Sequence, residues 1–196
     1  MQLLRLKSRL ALAYRGHKLL KDKLDGLVQR FFGVKKEYLD LFNKLEPELT
    51  RIFTQSVLSS ALSHPQVIEN LAQSSKTAIV SASAKNIMGV KIPEYTLKFE
   101  GEEAKSSRLL ASSEFFQSRK AFSELLPELI KMAALSRALQ LMAREIIETR
   151  RRVNALEYVL IPELERNLRM IRMKLAELER GAQVTLLKIK DIVRAH

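Results

Sequence analysis

The sequence contains no cysteine and no tryptophan in 196 residues. Without cysteine there is no disulfide and no thiolate metal site, which suits a reducing, cytosolic setting. Glycine and proline are scarce, at 6 and 5 residues. The glycines are scattered, so neither a GxxxxGK[ST] loop nor a GxGxxG turn exists to cradle phosphates. The three histidines, His17, His64 and His196, are too far apart for ligand spacing. No apolar stretch is long enough to span a bilayer. The most apolar one, Leu125 to Ile147, is broken by Glu128, Lys131, Arg137, Arg144 and Glu145. At the start, Arg5, Lys7 and Arg9 alternate with leucines, the pattern of an amphipathic helix and not of a signal peptide. The Glu102-Glu103 pair sits in a turn-like stretch and reads as solvated. No nucleophile–base pair can be assembled. The residues therefore point to no catalytic site, no cofactor and no metal.

What the chain does have is leucine, alanine and charge, the composition of long helices. The formal net charge is +12. It is not spread evenly. Residues 1–36 hold ten basic and two acidic residues, and residues 166–196 hold eight and three, whereas the stretch between them holds sixteen and seventeen. The excess is all terminal. A nucleic-acid patch is one reading of it, but the last 30 residues contain no aromatic side chain on which a base could stack.

From Leu3 an apolar seam recurs at alternating steps of three and four: Leu3, Leu6, Leu10, Ala13, His17, Leu20, Leu24, Leu27, Phe31, Val34, Tyr38, Leu41, Leu45, Glu48 and Ile52. Thirteen of these fifteen positions are apolar, a run long enough to argue for a coiled coil. His17 reads as a polar seam residue that sets register. Pro47 predicts a kink near Lys44 to Pro47, and His64-Pro65 an end. A second helix starts at Ser112-Ser113 with Glu114, or at Ser123. Its seam runs from Met132 through Leu135, Leu139, Met142, Ile146, Thr149 and Val153 to Ile189 and Val193. Within it Leu156, Leu160, Leu164 and Leu168 are four apart, a stutter that contains Pro162.

Residues 65–111 read differently. Gln66 to Gln73 fits a short helix. Thr77 to Ser83, Ile87 to Ile92 and Glu94 to Phe99 are β-patterned, so a hairpin or three-stranded piece is expected. The predicted architecture is mainly α: a long antiparallel two-helix coiled coil with a small β-hairpin insert at the turn end. Its divisions are 1–64, 65–111 and 112–196. Sixty helical residues would span about 90 Å, giving a rod whose paired termini form one basic end. If the two ends align, opposed positions have numbers that sum to about 197. Arg150, Arg151 and Arg152 would then lie near Glu46 and Glu48. Such exposed pairs contribute only about 0–1 kcal/mol each, and three successive residues cannot share one face. At least one arginine is left for a partner.

Four segments resemble the D-subunit family of V-type and archaeal-type rotary ATPases. They are Arg15-Gly16-His17-Lys18-Leu19-Leu20-Lys21-Asp22-Lys23 with Asp25 and Leu27; Lys85-Asn86-Ile87-Met88-Gly89-Val90-Lys91-Ile92-Pro93; Thr149-Arg150-Arg151-Arg152-Val153-Asn154-Ala155-Leu156-Glu157 with Ile161-Pro162; and Leu187-Lys188-Ile189-Lys190. The family usually has a further N-terminal segment ending in Pro-Thr-Arg, and often a longer tail. The resemblance implies a non-catalytic axle, located in the cytoplasm and peripheral to the membrane. Its partners would be the catalytic hexamer of A and B subunits, the F subunit, and a socket component above the membrane ring. It also implies site residues. Arg150, Arg151, Arg152, Asn154 and Glu157, with Thr77, Ile79, Ile87, Met88, Val90 and Ile92 of the insert, would meet partners. Arg5, Lys7, Arg9, Arg15, Lys18, Lys188, Lys190 and Arg194 would form the basic tip inside the hexamer. Neither direct membrane insertion nor nucleic-acid binding is expected. A non-rotary coiled-coil scaffold is the alternative; it explains the seam and the charge but not the ordered motifs.

Overall fold

A computed structural model describes residues 2–62, 77–101 and 113–195. The short helix expected at Gln66 to Gln73, the Glu102-Glu103 turn, His64 and His196 lie outside these residues. In chain order the elements are helix α1 (Gln2–Leu62), strands β1 (Thr77–Ile87) and β2 (Val90–Glu100), helix α2 (Ser113–Ala155), a π-helical turn (Leu156–Leu160) and helix α3 (Ile161–Ala195). No helix among them is long and apolar enough to cross a membrane.

Helix α1 forms because apolar residues recur at helical spacing among good helix formers. It remains one α-helix through Pro47. Proline removes one amide donor there. On the following turns, Thr50 and Thr54 donate their hydroxyls to the carbonyls of Glu46 and Thr50, both at 2.8 Å. Helix α2 begins at Ser113, with Glu114 in its first turn, where a carboxylate favours the positive end of the helix dipole. The alternative start at Ser123 falls inside the helix. Pro127 also lies within α2.

Among the described residues the insert is two-stranded. β1 and β2 pair antiparallel in one register, from Thr77 opposite Glu100 to Ile87 opposite Val90. The stretch expected as a strand at Ile87 to Ile92 therefore contains the turn. Met88 and Gly89 have φ of 52° and 89°, the left-handed pair that a tight two-residue hairpin turn requires. Methionine is an unusual residue for that conformation. The side-chain oxygen of Asn86 accepts the Gly89 amide at 3.0 Å and closes the turn.

Two compact units are present. The first comprises Met1–Gly26 and Ile146–His196; in it Ala13, Val153, Ile161 and Leu168 are buried. Tyr14 donates to Glu165 at 2.5 Å, and His17 Nε2 lies 3.4 Å from Glu157 Oε2. The earlier residue thus faces the later one, so the helices run antiparallel. The second unit is Leu27–Glu145. Its core is Leu45, Ile52 and Leu125, joined by Leu49, Ala121, Leu129 and Met132. Lys44 and Glu128 pair across it at 3.1 Å.

The stutter expected at Leu156 to Leu168 is realised as the π turn. Pro162 cannot donate to the carbonyl four residues back, and its ring would clash with it. The wider turn avoids the conflict: the Ile161 amide reaches back to the Leu156 carbonyl, five residues away. One residue is thereby absorbed. Leu160, expected on the seam, is 42% exposed, and Ile161 is buried in its place.

Two substitutions test this packing. Gly33 has open space around the position of a Cβ, so Gly33→Ala should raise unfolding free energy by about 0.4–1 kcal/mol. Leu45 is almost wholly buried, so Leu45→Ala should lower it by about 2–5 kcal/mol. Thermal or denaturant unfolding of the purified chain measures both.

Candidate functional site

No group of three or more His, Asp or Glu side chains is placed to hold a metal among the described residues. One open depression is lined by Glu46, Pro47, Thr50, Arg51, Thr54 and Gln55. All six belong to α1, so no second element closes it over a ligand. Most of the candidate residues lie on the surface, as residues of contact faces would.

The arginine run sits near the end of α2. Thr149 and Val153 are buried on the seam, and Arg150, Arg151 and Arg152 between them are exposed. Arg152 reaches Glu148 one turn earlier at 3.4 Å. Arg150 and Arg151 make no hydrogen bond or ion pair among the described residues. Glu46 and Glu48 are not their counterparts. These glutamates belong to the stretch of α1 that packs on Leu125 and Leu129 and pairs through Lys44 with Glu128. The expectation failed because it aligned the two chain ends. Opposed positions sum to 179 for Tyr14 and Glu165 and to 174 for His17 and Glu157, well short of 197.

The same register splits the basic tip. Arg5, Lys7, Arg9, Arg15 and Lys18 are exposed on the part of α1 that faces the beginning of α3. Lys188, Lys190 and Arg194 lie beyond it. From the Tyr14–Glu165 contact, α3 continues about 18 residues, roughly 27 Å, past the start of α1. Every described side chain from Arg172 to Arg194 is exposed. Leu178, Leu186, Ile189 and Val193, expected on a paired seam, are exposed and have no helix against them among the described residues. The tip is thus a single helix with an apolar stripe among cations.

Asn154 is exposed. Glu157 is engaged by His17 across the helix pair, which gives it a structural contact as well as any partner role. In the hairpin Thr77, Ile79 and Met88 are exposed and Ile87 is half-buried. Val90 and Ile92 are buried. By the register they share a face with Thr77 and Ile79 but lie at its turn end, and being buried they offer no surface to a partner.

Sequence reasoning missed two surfaces. Phe32, Leu39 and Phe53, related by multiples of seven, form a second apolar stripe on α1 beside the seam and are exposed. Phe42 adds to it and stacks on Tyr38, with ring centres 6.2 Å apart. Their heptad spacing was a usable signal. The second surface is Tyr158 and Val159 on the π turn, 71% and 62% exposed. Nothing in the spacing marked them as outward, since the turn itself moves the seam.

Across residues 2–191 the chain matches the family of ATP synthase D subunits. It is similar to the D subunit of a V-type ATP synthase from Clostridium botulinum strain Langeland. The two are 41% identical over 98% of this chain and 92% of the relative. The corresponding V-type ATP synthase protein from Thermoanaerobacter sp. strain X514 is 42% identical over 98% of this chain and 94% of its own length.

The Tyr14–Glu165 contact has a pH signature. Donation to Glu165, then desolvation and the carboxylate charge, raise the Tyr14 pKa above its usual 10.0. The protonated phenol is the bonded form, so the contact is present below the ordinary tyrosine range and is lost as pH rises through the raised value. Spectroscopic titration should show Tyr14 ionising above the ordinary tyrosine range, and Glu165→Ala, which removes both acceptor and charge, should lower it towards that range. Unchanged titration in that variant would refute the contact.

Proposed function

We propose a function from the premise that this chain belongs to the D-subunit family of ATP synthases. It is the central-stalk component of a V-type ATP synthase, the shaft that carries torque between catalytic head and membrane ring. Full-length membership of the family is the single observation that carries this reading.

The finer assignments are ours. ATP chemistry belongs to the A and B subunits, and this chain performs none of it. The exposed part of α3 enters the hexamer that A and B form. Its apolar stripe and its cations Arg172, Lys174, Arg180, Lys188, Lys190 and Arg194 suit a sleeve of apolar and acidic side chains. A helix held by such contacts can turn, because charge and smooth apolar surface do not interlock as deep knobs do. The stripe of Phe32, Leu39, Phe42 and Phe53 is the face for the F subunit, since an apolar row at heptad spacing accepts a further helix. Thr77, Ile79 and Met88 of the hairpin meet the parts of the complex nearer the socket component. The chain thus lies in the cytoplasm, held to the membrane through its complex.

One face of the hairpin supports a docking role for it. Ala78, Val80, Ala82 and Ala84 stand opposite Phe99, Leu97, Tyr95 and Pro93. These four pairs make an apolar stretch that ends at Asn86 and Lys91 near the turn, and a lone two-stranded hairpin is marginal in water. The other face is more polar, with Ser81 and Ser83 donating to the carbonyls of Thr96 and Glu94.

Affinity capture with the tagged chain should return the A, B and F subunits of the complex. Capture of nucleic acid, or of none of these subunits, would overturn the assignment. Replacing Thr77 to Phe99 by a short Gly-rich link should leave the helical content of the remainder intact, because the Leu45, Ile52 and Leu125 core lies outside the deletion. ATP turnover of the complex, or its coupling to ion transport, should fall. Parental rates in both assays would reduce the hairpin to a connector.

A further inference from the structure

The end of α2 and the π turn carry a mixed apolar and cationic face that the helix pair itself does not use. Ile147, Arg151, Asn154 and Tyr158 follow one another at steps of four, three and four, so they lie along one side of the helix. Val159 extends that side into the π turn. All five are exposed, whereas Thr149 and Val153, on the opposite side, are buried. The π turn widens the apolar part. Leu160 stands seven residues after buried Val153 and would fall on the seam of a regular helix, yet it too faces solvent. No residue of Leu156–Leu160 is buried. The fold therefore places three successive large apolar side chains, Tyr158, Val159 and Leu160, outside its buried core.

We propose that Ile147, Arg151, Asn154, Tyr158 and Val159 form one docking face for a protein component of the complex that presents an apolar recess edged by carboxylates. The inference rests on the central-stalk reading and names the chemistry of one partner surface. Charge complementarity selects the occupant. Among the neighbouring charges, Arg152 is satisfied by Glu148, and Glu157 by His17. Arg150 and Arg151 are left without a carboxylate among the described residues. The two guanidiniums outnumber the one Glu157 carboxylate, which His17 engages by hydrogen bond, so the charge beside the apolar patch is in excess positive. A guanidinium calls for a carboxylate, which it can grip with two parallel N–H donors. Tyrosine and arginine side by side are the residue types that most often anchor protein interfaces. A second copy of this chain is the poorer occupant: in a two-fold pairing the same patch meets itself, and Arg151 would approach the other copy's identical guanidinium.

Because the chain has no cysteine, Val159→Cys creates a unique thiol at the π-turn end of the face. Its rate of maleimide labelling is read on this chain by mass spectrometry, in the free chain and in the assembled complex. Labelling at least tenfold slower in the complex is expected. Tyr158→Ser and Arg151→Glu should leave the melting curve of the free chain unchanged and weaken its capture of the complex at least tenfold, the charge reversal most at low salt. If the wild-type chain assembles but the thiol labels at its free rate, the docking face is wrong and the central-stalk reading stands. If the wild-type chain captures no ATPase component, both readings fall. If labelling is already slow in the free chain and quickens on dilution, a second copy covers the face and the proposal is overturned.

Discussion

A pair of helices has a single stripe of mutual contact on which to build its stability, and this chain obeys that constraint along most of its length. Leu27, Leu45, Met142 and Thr149 are nearly cut off from solvent. A few residues away on the same helices, Phe32, Phe42 and Ile147 are wet. A three-layered domain would bury these side chains against further elements. Here no further helix among the described residues covers them, so apolar residues off the stripe remain exposed, more than solubility favours. Exposure of this kind is the mark of a protein completed by others. It is consistent with a chain whose family works inside a multi-subunit motor.

Proline shapes the stripe more than any charged residue does. Pro47 and Pro127 are carried inside regular helix. Pro162 is not: the turn before it widens, so that the hydrogen bond spans five residues instead of four. That single change moves the seam from Leu160 to Ile161 and keeps Leu168, seven residues on, buried with it. A disruption that would end a shorter helix becomes a phase correction. The same turn brings Glu157 to His17 and leaves Tyr158 and Val159 outside. Packing and partner surface are therefore two consequences of one backbone accommodation.

Charge plays a different part. The polar contacts that cross between helices, the Lys44–Glu128 ion pair and the His17–Glu157 contact, lie partly in solvent. Pairs in that setting add little stability. They do fix register, because a slip of one turn would separate them and set like or unmatched groups together. The excess positive charge stands on the first 36 residues and on residues 166–196, on side chains other than those of these pairs. It remains available for recognition, where complementary carboxylates act on association rate and specificity as much as on affinity.

By itself the sequence determined the helices, the insert and the family. Periodicity over many heptads is a local property that sums along the chain, so α1, α2 and α3 were legible from the recurrence of Leu, Ile and Val. Three β-patterned runs between Thr77 and Phe99 marked the insert while leaving two strands or three open, and ordered motifs from Arg15 to Lys190 marked the family. Three things were decided only in the tertiary structure. The register between helices depends on which seam residues meet, and Tyr14, His17 and Lys44 chose partners that no end-to-end alignment would find. The exposure of α3 beyond Arg172 follows from that register, since an apolar stripe reads the same whether or not a helix lies against it. The fate of Leu160, Val90 and Ile92 turned on backbone geometry at Pro162 and at the Met88-Gly89 turn. A one-residue change of phase there reverses which side chain faces inward, and pattern counting averages over just such a step.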